Sequence, residues 1–358
     1  MSTPGPGAVR ALRAYAGFAG RILGTRLGSK RPFKLTLVLT DRCDCRCKGC
    51  LIWQRDKRAE MTPAQIQAFL ADAPSLRWVN LTGGEPFLRN DMVAVAQAVR
   101  DALPQLAVLD FPTTGQRTDV ILRDVEAMTR LGIPKLYVTC SIEGPPALHD
   151  ELRGRDGAFA NMIATYQGLR AMDGVDVYLG MTLSEANAHT VDETFAAVRE
   201  HVTDFDWRDL HVNVYTESGH YYDNLDSGMR RPDALEAVVA RALKAREGSW
   251  HPTDLIEATY LRLLPEHLET GRSPLPCKAL RAGVFVDAQG DVHPCTVYGR
   301  KLGNVLDTPL YEILDGAEAE DARKVIERDA CPGCWSPCEA NPTIVATAPE
   351  SLTRRPRT

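Results

Sequence analysis

The stretch that decides the fold is Cys43-Asp44-Cys45-Arg46-Cys47-Lys48-Gly49-Cys50, which holds four of the ten cysteines in this chain of 358 residues. Cys43, Cys47 and Cys50 have a C-x3-C-x2-C spacing, and the alternating apolar run at residues 33–40 predicts a strand directly before them. Three thiolates this close on one loop suit a metal better than a disulfide. A cubane iron–sulfur cluster needs four ligands, so three cysteines leave one iron open to another molecule.

This loop resembles the signature of the radical S-adenosylmethionine (SAM) enzymes, which follows the first strand of a parallel barrel. The resemblance implies that Cys43, Cys47 and Cys50 bind a [4Fe-4S] cluster whose open iron takes the amino and carboxylate groups of SAM. Cys45 falls outside the spacing and is interpreted as a free thiol pointing off the loop, with a swap of ligand roles left open. The alternative is a zinc site, which would use paired C-x2-C motifs and often His.

Composition places the chain among globular proteins. Apolar residues make up 44% and charged residues 25%, and the formal net charge of -5 lacks the basic excess of a nucleic-acid binder. Outside the first loop most cysteines lie near the C-terminus, and this clustering indicates metal clusters in a reducing cytosol rather than a secreted disulfide scaffold. The sequence therefore predicts a cytoplasmic protein without a nucleic-acid partner.

Residues 1–31 read as an amphipathic basic helix, in which apolar residues recur at helical spacing and arginines lie mostly between them. The segment lacks the unbroken apolar run of a signal peptide, and no stretch of the chain is apolar enough to cross a bilayer. One interpretation is a helix packed on the domain surface. The other is a helix that contacts the membrane surface or presents substrate, which its basic face favours near anionic lipid.

From residue 60 onward, apolar strands alternate with helical patterns, as in a βα repeat. Thr62 and Pro63 mark one helix start, as N-cap and first helical residue. With the first strand, the candidates at 78–82, 107–112, 135–141, 175–182 and 210–215 give six strands, the number in the family's barrel. We predict an α/β fold with a partial (β/α)6 parallel TIM-like barrel and a small C-terminal cluster domain. The predicted segments are the basic helix at 1–31, the barrel at 32–225, a helical linker at 226–276, the cluster domain at 277–342 and a tail at 343–358.

Ligand residues are expected at the carboxyl ends of these strands. The second strand ends in Gly83, Gly84, Glu85 and Pro86, where paired glycines let the backbone approach a ligand closely. In the family this motif contacts the amino group of SAM. Residues 139–145 and 149–154 resemble the Ser-x-Asp-Gly-Pro and His-Asp-x-x-Arg-Gly segments of radical SAM proteins with an extra cluster domain. The resemblance therefore assigns SAM to Gly83, Gly84, Glu85, Pro86, Ser141, Glu143, Arg153, Thr182 and Asn187. For Arg153, a structural salt bridge is the alternative to a contact with the SAM carboxylate.

The second cysteine group is similar to the SPASM and twitch domains appended to radical SAM enzymes. Its members are Cys277, Cys295, Cys331, Cys334 and Cys338, and residues 283–290 predict a small hairpin between the first two. The full SPASM pattern has seven cysteines for two clusters, whereas five suffice for one [4Fe-4S] cluster with one to spare. We predict a single auxiliary cluster, in which Cys338 competes for the fourth place, with a zinc site as the alternative.

The sequence is compatible with three functions. The first is a radical SAM oxidoreductase or modifying enzyme acting on a peptide or small metabolite, with an electron donor such as flavodoxin or ferredoxin. The second is a radical SAM enzyme that acts on a lipid or isoprenoid at the membrane surface. The third is a non-enzymatic iron–sulfur electron carrier, which would not need the Gly-Gly-Glu-Pro strand end. Candidates for positioning the substrate are Gln116, Tyr215, Glu217, His220, Tyr221 and Tyr222.

Overall fold

The computed structural model describes residues 6–56, 58–233 and 235–356. Residues 1–5 of the predicted basic helix, residues 357–358 of the predicted tail, and positions 57 and 234 lie outside the described residues.

Six parallel strands form the centre of the fold, and each lies within one residue of its predicted bounds. They are β1 (Lys34–Thr40), β2 (Trp78–Gly83), β3 (Val108–Thr113), β4 (Lys135–Ile142), β5 (Asp176–Leu183) and β6 (Leu210–Val214). They follow one another across the sheet in chain order, and β6 is an open edge. The predicted partial (β/α)6 barrel is therefore confirmed.

Helices precede and separate these strands. They are α1 (Pro6–Arg26), α2 (Pro63–Ala71), α3 (Met92–Ala102), α4 (Thr118–Thr129), α5 (Pro146–Arg153), α6 (Ala158–Arg170) and α7 (Val191–His201). The helix start predicted at Thr62 is confirmed, because the Thr62 side chain accepts from the Gln65 backbone N–H and the Gln65 side chain caps in return.

Side chains alternate between the two faces of the barrel strands. On β4 the residues Leu136, Val138, Cys140 and Ile142 are buried beneath the helices, whereas the four residues between them are half-buried. β5 and β6 repeat this alternation. Because a strand buries one face and exposes the other, the inner face of the barrel lines an accessible lumen. Its side chains are polar and aromatic, and include Tyr178 stacked on His211 with ring centroids 4.2 Å apart.

The C-terminal part begins with two helices, α8 (Glu236–Ala245) and α9 (Pro252–Thr270), within the predicted linker. The predicted hairpin is present as β7 (Gly283–Val286) and β8 (Asp291–His293), followed by β9 (Gly303–Asn304). β7 pairs in parallel with the free edge of β1, so the barrel and the hairpin share one nine-stranded sheet. The chain ends in α10 (Leu310–Asp315), α11 (Ala317–Glu327), α12 (Pro337–Thr347) and α13 (Glu350–Thr353).

The predicted N-terminal helix is present as α1, which lies across the end of the barrel where the strands begin. Ala14 packs beside Ala107 and Val108 at the start of β3, and the Phe18 and Phe33 rings have centroids 5.4 Å apart. Among the described residues, no helix is long and apolar enough to cross a membrane.

Candidate functional site

The cysteine loop between β1 and residue 52 is held by two neighbouring segments at the carboxyl end of the barrel. On one side, the backbone N–H groups of Gly84 and Glu85 donate to the carbonyls of Thr40 (2.9 Å) and Arg42 (2.8 Å). A Cβ on Gly84 would lie 2.1 Å from the Arg42 carbonyl oxygen, so the loop can pack this closely only against glycine. The glycine pair predicted to approach a ligand thus also approaches the backbone that carries the cysteines.

On the other side, the cysteine loop hydrogen bonds to the C-terminal end of α5. The N–H groups of Arg46 and Lys48 donate to the carbonyls of Arg153 (2.8 Å) and Leu152 (3.0 Å), which are among the last carbonyls of the helix and have no partner within it. Gly154 follows in the left-handed conformation and packs against Arg46. The two sequence segments that resemble the family's motifs therefore both contact the cysteine loop.

The thiols of the loop differ in their surroundings and therefore in their pKa values. A hydrogen bond from Cys45 and the charge of Arg153 lower the pKa of Cys47 to about 6, whereas burial raises the pKa values of Cys43 and Cys50 to about 12. Arg153 Nη1 lies 3.5 Å from the Cys47 sulfur. Cys45 is fully buried against Cys47, so the interpretation that it points off the loop is wrong.

Arg153 connects the cysteine loop to the other predicted SAM residues. Its Nη2 lies 3.2 Å from Glu143 Oε1, and both side chains are largely removed from water. Burial raises the pKa of Glu143 to about 7, although the Arg153 charge opposes this. Asn187 Nδ2 donates to the backbone carbonyls of Glu143 and Thr182, each at 3.0 Å. Four of the predicted residues thus form one cluster beside Cys47.

An open cavity of about 110 Å³ lies in front of this cluster. Its lining includes Cys47 and Cys50 from the loop, Glu143 and Arg153, and residues at the ends of β5 and β6. Arg153 Nε is a buried donor with no hydrogen-bond partner among the described residues, so an anionic group in the cavity would satisfy it.

Other predicted residues lie elsewhere. Glu85 is fully buried, and its carboxylate accepts from Thr113 Oγ1 (3.0 Å) and from the Thr114 and Phe87 backbone N–H groups, which fixes the loop after β2. Pro86 begins a short 3₁₀ turn, and Ser141 sits on the inner face of β4 outside the cavity lining. The contacts of these residues with SAM stay predictions.

Of the predicted substrate residues, Tyr215 and Tyr222 line the cavity. Gln116 and His220 hydrogen bond to backbone carbonyls, the Tyr221 hydroxyl pairs with Thr82, and Glu217 is exposed. The sequence analysis missed Asn213 and Asn224. Asn213 could have been found from the strand alternation on β6, whereas Asn224, which donates to the Gly49 carbonyl at 2.9 Å, lies in an irregular segment without a pattern.

Four of the five C-terminal cysteines form a second group. The charge of Cys331 acts on Cys277, those of Cys277 and Cys331 act on Cys334, and those of Cys277 and Cys334 act on Cys295. Backbone N–H groups lie 3.5 Å from the Cys277 sulfur and 3.1 Å from the Cys295 sulfur, as is common around cluster ligands. Burial raises the pKa of Cys338 to about 11, and its charged neighbours are Lys34, Glu339 and Asp110. Cys338 therefore lies toward the barrel.

Two family models match the chain. The radical SAM superfamily model covers residues 37–198, and the SPASM iron–sulfur cluster-binding domain covers residues 277–338.

The chain belongs to the radical SAM superfamily.

It is a SPASM-type radical SAM enzyme, so it uses a [4Fe-4S] cluster, SAM and auxiliary iron–sulfur chemistry. The pre-heme d1 synthase of Dinoroseobacter shibae is 29% identical over 302 residues, which cover 78% of this chain and 72% of that protein. The sporulation killing factor maturation protein SkfB of Bacillus subtilis is 24% identical, over 80% of this chain and 66% of that protein. Streptococcus suis SuiB bound to its precursor peptide SuiA superposes with a TM-score of 0.59 at 16% identity, over 89% of this chain and 75% of that one. This last likeness supports the fold alone.

The residues present fit these groups. In the part of the chain that the structure describes, no three His, Cys, Asp or Glu side chains converge on one point as a single metal ion would require. A cubane does not need such convergence, because each thiolate binds a different iron. Cys47, Cys50 and Arg153, whose Nε is unpaired among the described residues, line one cavity, which suits a cluster next to an anionic ligand, whereas Cys43 lines a neighbouring pocket.

Proposed function

We propose that this radical SAM enzyme cleaves SAM at a cluster held by Cys43, Cys47 and Cys50 and modifies a peptide held in the barrel lumen. One observation carries the proposal: Cys47 and Cys50 line the same cavity as Glu143 and Arg153, at the carboxyl end of an accessible lumen. When bound and reduced, the cluster supplies the electron that splits SAM into methionine and a radical able to take hydrogen from an unactivated carbon.

The protein's own residues have separate tasks in this proposal. Arg153 offers the unpaired Nε to the SAM carboxylate and stays charged, since the thiolate of Cys47 and the carboxylate of Glu143 raise its pKa despite burial. Asn187 fixes the backbone at Glu143, whose carboxylate is aimed at SAM by the Arg153 contact. The backbone of Gly83 and Gly84 is the proposed contact of the amino group. A flavodoxin or ferredoxin is the proposed electron donor.

The charge of the lumen supports a peptide over a heme-type substrate. Heme-type molecules carry several carboxylates, which would need unpaired cations. The two lysines on the inner face are already engaged, because Lys34 donates to the Cys338 carbonyl at 2.6 Å and Lys135 pairs with Asp176 at 2.8 Å. Beside the Asp110 side chain, uncharged and aromatic groups such as Tyr137, Tyr178 and Asn213 line much of the rest, and they suit a peptide side chain. The relative SkfB, a maturation protein for a sporulation killing factor, points the same way, whereas pre-heme d1 synthase keeps a small metabolite as the second candidate.

SAM cleavage is tested on anaerobically reconstituted protein supplied with SAM and dithionite. We expect methionine and 5′-deoxyadenosine from the unmodified protein and from Cys140→Ala, whose thiol lies on the buried outer face of β4. Cys47→Ala should form neither product. Cleavage by Cys47→Ala at the unmodified rate would contradict the ligand assignment.

The substrate class is tested with a deuterated cell extract divided into peptide and small-molecule fractions. Hydrogen abstraction from a deuterated substrate puts deuterium into 5′-deoxyadenosine, which mass spectrometry detects. We expect enrichment from the peptide fraction. Enrichment from the small-molecule fraction alone would overturn the peptide proposal while leaving SAM cleavage intact.

A further inference from the structure

The outer face of α1 exposes an unusual share of large apolar side chains. The described residues include seven large hydrophobic side chains that are exposed, and four of them belong to α1 and the turn after it. These are Leu12 (69% exposed), Tyr15 (40%), Leu23 (56%) and Leu27 (80%). Leu12, Leu23 and Leu27 are spaced by eleven and four residues, which places them on one side of the helix.

The opposite face of α1 is already packed, so the helix is fixed in place. Ala14 and Thr25 are buried, Phe18 and Ile22 join the cluster around Phe33, and the Arg26 guanidinium pairs with Glu350 at 2.7 Å. The exposed leucines are therefore not an unfilled part of the core. They form a separate apolar face on a helix whose core contacts are complete.

Trp250 lies at the same end of the barrel and is 87% exposed. One residue, His251, separates it from α9, and the Thr253 hydroxyl in the first turn of α9 lies 3.5 Å from the Tyr137 hydroxyl. Tyr137 packs in the cluster that contains Ala14 and Phe18 of α1. Tryptophan is enriched where proteins meet the membrane–water interface, because its ring is apolar and its N–H is polar.

The charge of this segment identifies the kind of partner. The first forty residues contain seven Lys and Arg and no Asp or Glu. Arg26, Lys30 and Arg31 pair with acidic residues and Lys34 is buried, so Arg10, Arg13 and Arg21 are the cations of this segment without an ion pair among the described residues. Arg10 and Arg13 line a groove beside α1 together with Arg100 and a single acid, Asp101. A second copy docked through the same face would bring identical arginines together, since a two-fold interface pairs a patch with itself. An apolar helix face flanked by arginines complements anionic lipid instead.

We propose that α1 and Trp250 dock this enzyme on an anionic membrane surface, with Leu12, Leu23 and Leu27 entering the interface between headgroups and acyl chains. α1 covers the end of the barrel where strands begin, whereas the cysteine loop and its cavity lie at the carboxyl ends. The docked enzyme would thus hold its cavity away from the membrane. Substrate would enter from the aqueous side, and the proposal does not depend on which substrate the enzyme uses.

Flotation of the full chain with lipid vesicles tests this docking. We would compare phosphatidylcholine vesicles with vesicles that contain about 30 mol% phosphatidylglycerol, at about 0.1 M and about 0.5 M NaCl. The test variant is Leu23→Glu/Leu27→Glu, which changes only exposed side chains. The matched control is Leu306→Glu, an exposed leucine in the C-terminal part of the chain (45%).

We expect the unmodified protein and Leu306→Glu to float with anionic vesicles and to bind roughly tenfold more weakly at the higher salt. The double variant should bind at least about tenfold more weakly at low salt. Trp250 gives an independent readout, because its fluorescence should shift to shorter wavelength with anionic vesicles and the shift should vanish in Trp250→Phe.

Three results would overturn the proposal. One is the absence of flotation with anionic vesicles at low salt, and another is equal binding by the double variant and the unmodified protein. The third is a dimer in light scattering that Leu23→Glu/Leu27→Glu converts to a monomer, since this would assign the face to a second copy. Rates of SAM cleavage measured in parallel show that each variant is folded and loaded.

Discussion

Replacing Cys334 and Cys338 one at a time by alanine separates the two cysteines that compete for the last place on the auxiliary cluster. In the structure, Cys334 interacts electrostatically with Cys277, Cys295 and Cys331, whereas the charged neighbours of Cys338 are Lys34, Glu339 and Asp110. Four thiolates complete one cubane. We therefore expect the cluster to need Cys334 and not Cys338.

The experiment is clearest in a chain that lacks the first cluster, with Cys43, Cys47 and Cys50 all replaced by alanine. After anaerobic reconstitution this background should hold about four irons and four sulfides per chain. Adding Cys334→Ala should lower both toward zero, because an open or unstable site is left, and adding Cys338→Ala should leave about four. Iron and sulfide are measured chemically, and electron paramagnetic resonance of the reduced protein reports whether the cluster is intact. Equal iron loss in the two variants would refute the assignment of Cys338 outside the ligand set.

Two further predictions concern stability. Gly84→Ala would place its Cβ 2.1 Å from the Arg42 carbonyl oxygen, so we expect it to destabilise the protein by roughly 3 kcal/mol and to reduce the iron bound at the first loop. The control Gly20→Ala, with no atom within 4 Å of its Cβ, should change stability by less than about 1 kcal/mol. An unchanged urea midpoint for Gly84→Ala would contradict the close approach. Burial raises the pKa of Glu257 from its ordinary 4.5 to about 7, so the charged form weakens the fold and the loss grows as pH rises through this interval. Glu257→Gln should therefore gain up to about 3 kcal/mol over the unmodified protein above pH 7 and nothing below the ordinary pKa, and urea midpoints with a pH-independent difference would argue against it.

The strands of the barrel could be predicted from the sequence because the patterns that indicate them are local. Each apolar run carries its own alternation, and Thr62 with Gln65 carries its own cap. The family motifs also identified the elements around the cysteine loop, because the Gly83–Gly84 and Arg153–Gly154 segments both hydrogen bond to it.

The contacts that could not be predicted join residues far apart in the chain. Nothing near Cys45 indicates that its thiol turns toward Cys47, since the turn depends on how α5 packs against the loop. Glu85 sits in a motif expected to contact a ligand, yet its carboxylate satisfies the backbone of the next strand. The charge of the lumen also needed the fold, because the ammonium groups of Lys34 and Lys135 are engaged by a carbonyl and a carboxylate more than thirty residues away.

The parallel pairing of β7 with β1 determines what happens to the barrel when the C-terminal part of the chain is removed. Leu35, Thr36 and Leu37 of β1 pair with β2 on one edge and with β7 on the other, and β1 also leads into the cysteine loop. Removing the C-terminal part would leave β1 as a bare apolar edge, ready to pair with another chain. The two segments that close this pairing are separated by about 250 residues, so it forms late in folding. A truncated barrel should therefore aggregate, and the C-terminal part acts as the chain's own protection against self-association.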